Sequence, residues 1–82
     1  MPEIKIYGTR WCGDCRRALK IFDEYKVNYL WIDIDKDPQG ENFVKSANKG
    51  NRSVPTILFP DGSILVEPPN AILAEKLDQL KD

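Results

Sequence analysis

Two cysteines and no histidine limit the chemistry open to this 82-residue chain. Without histidine there is no imidazole general base, no Ser-His-Asp triad and no His-ligated zinc. With two cysteines there is at most one internal bridge, so a secreted scaffold held by several disulfides is excluded. The two thiols stand together in Trp11-Cys12-Gly13-Asp14-Cys15. Read from the residues alone, this spacing admits a redox pair, half of a metal or iron–sulfur site completed by a second chain, or inert thiols with Cys15 filling the core.

The flanking pattern favours the redox pair. Glu3 to Tyr7 alternates, with Ile4 and Ile6 on one side, and predicts a short strand that breaks at Gly8-Thr9. From Cys12 the period becomes helical. Cys15, Ala18, Leu19 and Phe22 fall on one face, with Arg16, Arg17, Lys20, Asp23 and Glu24 on the other, out to about Lys26. Cys12 then lies at a helix N-terminus, where unsatisfied N–H groups and the helix dipole favour an anion and lower a thiol pKa. The thiolate is the reactive form. Cys15 falls one turn later on the apolar face, more buried and less ionised. This asymmetry predicts that Cys12 attacks a disulfide and that Cys15 resolves the resulting mixed disulfide. Asp14 opposes a thiolate at Cys12, whereas Arg10, Arg16 and Arg17 favour it.

The remaining elements must hold this pair in place. Tyr29–Ile34, rich in β-branched and aromatic residues, predicts a second strand, parallel to the first and linked to it as a right-handed βαβ unit. Pro38 suits the first turn of a helix over Gln39–Ala47, with Phe43, Val44 and Ala47 inward and a stop at Asn48-Lys49-Gly50-Asn51. Pro55 opens a third strand over Thr56–Phe59. Pro60-Asp61-Gly62 turns the chain into an antiparallel fourth strand over Ser63–Val66. A last helix over Ala71–Leu80 has Leu73, Leu77 and Leu80 on one face. Trp31, Phe22, Phe43 and Phe59 read as core. Asp33, Asp35 and Asp37 lack the spacing of a calcium loop and read as a solvated loop, so no metal site is expected.

Composition agrees with one folded domain over residues 1–82. Twelve Lys and Arg against thirteen Asp and Glu give a net charge of −1, which argues against a general nucleic-acid binder. No apolar run approaches the roughly 20 residues that span a bilayer. The first residues lack the pattern of a secretory leader, which favours the cytoplasm.

Tyr7-Gly8-Thr9-Arg10-Trp11-Cys12-Gly13-Asp14-Cys15 resembles the active-site segment of glutaredoxins, and Gly50-Asn51-Arg52-Ser53-Val54-Pro55-Thr56 resembles their Thr-Val-Pro segment. With Asp61-Gly62-Ser63, the pattern is most similar to that of mycoredoxin-type glutaredoxin-like proteins. The resemblance implies an α/β thioredoxin fold of order β-α-β-α-β-β-α, a mixed four-stranded sheet flanked by three helices. It implies a monomeric thiol–disulfide oxidoreductase acting on disulfide-containing proteins, with no bound cofactor. Pro55 is then cis, and Val54 offers its N–H and C=O to a substrate backbone as an added strand. From the residues themselves, Trp11 reads as an exposed shelf for the substrate or as a rim residue, and Arg52 as a grip on a substrate carboxylate or as a solvated loop arginine. Arg10 stands in for a lysine that many glutaredoxins carry at the position of Thr9. Asp14 replaces a common tyrosine, and Glu67-Pro68-Pro69-Asn70 replaces a Gly-Gly pair. These departures leave the electron source open among glutathione, mycothiol and a flavoprotein, thioredoxin reductase. Two other roles share the motif: a dedicated electron donor to one partner, and an iron–sulfur cluster carrier acting as a dimer.

Overall fold

A computed structural model describes residues 3–80. Met1 and Pro2, where the leader reading begins, lie outside them. The elements are β1 (Lys5–Gly8), α1 (Gly13–Glu24), β2 (Leu30–Asp33), α2 (Pro38–Ala47), β3 (Thr56–Leu58), β4 (Ile64–Val66) and α3 (Asn70–Leu80). The strands form one sheet in the order β2-β1-β3-β4. β1 runs parallel to β2 and antiparallel to β3, and β4 is antiparallel to β3. This is the expected α/β order, with a mixed sheet flanked by three helices.

Alternation along the strands divides the core in two. Ile6 and Ile57 pack with Ala18 and Phe22 of α1 and with Leu73 and Leu77 of α3. Tyr7 packs with Val44 of α2 on the other side, together with Ile34. Tyr7 also stacks on Phe43 with ring centroids 4.6 Å apart. Local chemistry sets the ends of the elements. Asp37 caps α2 by accepting hydrogen bonds from Gln39 and Gly40 N–H at 3.1 and 3.2 Å, with Pro38 in the first turn. Gly62, at φ +90°, closes the β3–β4 turn, and Asp61 accepts from Ser63 there.

Four sequence expectations shift. β1 continues through Gly8 rather than breaking there, because Gly8 pairs with Asp33 of β2. α1 ends at Glu24, and Lys26 turns into the left-handed region at φ 55°. Ala47 is exposed, since α2 stops against the left-handed Lys49 and Gly50 before its last turn meets the sheet. Leu80 is also exposed, lying beyond the stretch of α3 that packs on α1.

Candidate active site

Cys12 is the N-cap residue of α1. Its backbone is extended, at φ −84° and ψ 118°, and its Sγ accepts a hydrogen bond from Cys15 N–H at 3.3 Å. A sulfur thus takes the place usually given to a Ser or Asp oxygen. The same N–H and the positive end of the helix meet any negative charge that forms on Cys12. Cys12 is partly exposed and Cys15 fully buried, and both are free thiols. Burial pushes the Cys15 thiol up to about 12; a hydrogen bond from the Thr9 backbone opposes the rise, while Cys12 and Asp14 add to it. One thiol meets solvent and the other is kept protonated.

Gly8 makes room for this arrangement. A Cβ at position 8 would lie 2.6 Å from Cys15 Sγ and 2.7 Å from the Trp31 ring. Only a residue without a side chain lets the buried sulfur and the indole both close on this point of β1. Thr9 is buried beside it, and its hydroxyl has no hydrogen-bond partner among the described residues.

The loop before β3 forms the opposite wall. The Val54–Pro55 peptide bond is cis, as the resemblance implies. Cys12 S–H points to Val54 C=O at 3.8 Å. The loop is fixed from three directions. Thr56 hydroxyl donates to Ser53 C=O at 2.7 Å, Asn48 Nδ2 donates to Thr56 Oγ1 at 3.2 Å, and Glu67 N–H donates to Pro55 C=O at 2.9 Å. Val54 N–H has no acceptor among the described residues.

A side-chain chain then ties the cysteine loop to the proline loop. Trp11 is 68% exposed, yet its Nε1 donates to Asp35 Oδ2 at 3.0 Å. Arg52 Nη2 donates to Asp35 Oδ1 at 2.6 Å, and Arg52 Nε pairs with Glu41 Oε2 at 2.6 Å. Arg52 and Trp11 hold the Asp35 carboxyl below its ordinary range. The guanidinium expected to face a substrate is engaged by two carboxylates of the protein.

Arg17 joins the start of α1 to the turn before α3. Its Nη1 donates to Pro68 C=O at 3.1 Å and to Asn70 Oδ1 at 2.5 Å, and its Nη2 lies 3.4 Å from Asp14 Oδ1. The Arg10 side chain is exposed and forms no ion pair with a described residue. Of the positions singled out in the sequence, Trp11, Cys12, Cys15, Val54 and Pro55 meet at one place. Arg52 joins them through Asp35, and Asp14 turns to Arg17. Sequence reasoning missed Gly8, Asp35, Glu41 and Thr56. For Asp35 the one available signal was its place in the loop after β2, a strand adjacent to the one that leads into Cys12.

Residues 4–64 match the glutaredoxin family model. The chain is 40% identical over 80 residues to Mycoredoxin 1 of Corynebacterium glutamicum, covering 98% of this chain and 99% of that protein. Among solved structures it is similar to the glutaredoxin of Archaeoglobus fulgidus, with TM-score 0.68, 26% identity and coverage of 98% and 86%. It is also similar to the thioredoxin-like protein BC3987, with TM-score 0.72, 27% identity and coverage of 95% and 99%. The sheet order, the three helices and the Cys-x-x-Cys at the head of α1 are those of a thioredoxin fold, and the chain belongs to the glutaredoxin family of thiol–disulfide oxidoreductases.

Proposed function

We propose that this protein reduces protein disulfides, or mixed disulfides between proteins and low-mass thiols, with Cys12 as nucleophile and Cys15 as resolving thiol. The Cys12 thiolate attacks one sulfur of the substrate disulfide and expels the other as a thiolate, which takes up a proton. Cys15 then gives up its proton and attacks Cys12 Sγ. The substrate leaves as a thiol and a Cys12–Cys15 disulfide remains. Two electrons from a low-mass thiol, glutathione or mycothiol, or from thioredoxin reductase restore the pair. The observation that carries this reading is the contrast between a partly exposed N-cap sulfur and a fully buried one a turn later. Trp11, Arg52, Val54 and Pro55 line the approach to Cys12, with Arg10 and Asp14 at its margin. The free Val54 N–H and adjacent C=O suit strand-like docking of a substrate backbone. Residues 1–82 act as one domain, as a monomer in the cytoplasm, without a bound cofactor.

The test follows NADPH consumption with a mixed-disulfide substrate. Glutathione plus its reductase, mycothiol plus its reductase, and thioredoxin reductase alone are offered in turn. Turnover with a low-mass thiol is expected, given the likeness to Mycoredoxin 1. Turnover with thioredoxin reductase alone would make the protein a dedicated thioredoxin-like donor. Silence with all three, together with visible absorbance and a dimer after anaerobic reconstitution, would favour a cluster carrier.

A further inference from the structure

Arg52 is the cation of the proline loop nearest to Val54 in sequence, and although its side chain is exposed, one edge of its guanidinium is taken up by the protein's own carboxylates. Nε and Nη2 form one bidentate edge of the guanidinium, and here each holds a different carboxylate, Glu41 and Asp35, both at 2.6 Å. Asp35 also holds Trp11, the residue before Cys12. Asp33 N-terminal to it accepts from Asp35 N–H at 2.9 Å. Segment 33–41 carries four carboxylates and one lysine, Lys36, so the rim stays negative even with Arg52 counted. A carboxylate arriving on a substrate finds only the Nη1–Nη2 edge of the guanidinium open, beside two carboxylates that already offset its charge.

We propose that Glu41 and Asp35 are positioning residues that hold the Nε–Nη2 edge of Arg52 and offset its charge, so that the rim between Trp11 and Val54 selects against disulfides bearing a carboxylate near the scissile sulfur. This rests on the reading of Cys12 as nucleophile. Arg10, exposed beside Trp11 with no ion pair among the described residues, is a separate cation that substitutions at Glu41 and Asp35 leave unchanged. The residues act through charge and direction, and touch no reacting atom.

The experiment is a single-turnover comparison needing no reductase. Fully reduced protein is mixed with one cysteine peptide carried as its mixed disulfide with glutathione or with 2-mercaptoethanol, and thiol release is followed by rapid quench. The quantity read is the ratio of the two rate constants in each variant relative to wild type. Glu41→Gln is expected to raise the glutathione-to-mercaptoethanol ratio about threefold at low salt, the scale of one exposed charge pair. Asp35→Asn should move it in the same direction and Arg52→Gln in the opposite one. All three effects should shrink at about 0.5 M salt, where the Debye length falls to a few ångströms. An altered fold would change both substrates alike and would not respond to salt in this way. Ratios that stay at the wild-type value in both Glu41→Gln and Asp35→Asn would overturn the inference while leaving Cys12 chemistry intact. Failure of wild-type protein to release thiol from either disulfide would overturn both.

Discussion

Raising the pH should destabilise the reduced protein through one buried thiol. Burial first, then the proximity of Cys12 and Asp14, lifts Cys15 to about 12 from an ordinary 9.0, against an opposing bond from the Thr9 backbone. A thiol is neutral when protonated, so the folded chain retains above pH 9 a proton that the unfolded chain releases. Stability is therefore unaffected well below pH 9 and falls as pH rises toward 12. From the two pKa values, the loss between pH 8 and pH 10 is on the order of 1 kcal/mol. For a domain of this size that lowers Tm by about 4–8 °C. Tyr7 and Tyr29 are also raised by burial, helped by Asp37 and Asp23, and add a loss of the same sign at higher pH. Cys15→Ala isolates the thiol, because the cost of its cavity is the same at both pH values and cancels. The assay is urea denaturation of wild type and Cys15→Ala at pH 8 and pH 10, under argon with a phosphine reductant. If both proteins lose the same stability over that interval, Cys15 is not held protonated by burial and the assignment of roles loses its physical basis.

Three further outcomes follow from the packing. Gly8→Ala places a methyl within 3 Å of both Cys15 Sγ and Trp31, so it should cost about 1–3 kcal/mol in urea denaturation and slow Cys12–Cys15 closure in stopped-flow fluorescence. Arg17→Ala removes hydrogen bonds to Pro68 C=O and Asn70 Oδ1 and should cost about 1–2 kcal/mol, read by denaturation at pH 7. Asp35→Leu frees Trp11 Nε1, so on a Trp31→Phe background the fluorescence anisotropy of Trp11 should fall and its quenching by iodide should rise.

The parts of the molecule legible in the sequence are those governed by local rules. The change from period two to period 3.6 at Cys12 places Cys15, Ala18 and Phe22 inside, and all three are buried. Pro38 and Asp61-Gly62 act as helix start and turn wherever they stand, whereas the cap that Asp37 supplies reads in the sequence only as part of a polar loop. What was not legible depends on distant approach. Gly8 reads as a break along the chain, and its need for no side chain arises only when Trp31 of β2 and Cys15 of α1 reach the same point. Asp35 reads as one of three aspartates in a polar loop, until parallel pairing of β1 and β2 carries that loop to Trp11 and Arg52. Ala47 and Leu80 continue a helical pattern past the end of the surface that would cover them. The cis bond at Pro55 came from resemblance, because nothing local distinguishes it from the more common trans form.

The central claim is that Cys12 is the sulfur that meets the substrate and Cys15 the one that releases it. The most direct measurement is intact-mass analysis of Cys15→Ser and Cys12→Ser after each reduced variant meets the peptide–glutathione mixed disulfide. Cys15→Ser should accumulate a covalent adduct that maps to Cys12 and dissolves on addition of thiol, while Cys12→Ser should remain unmodified at neutral pH. An adduct on Cys15 of the Cys12→Ser variant, formed as fast as that on Cys12, would contradict the account.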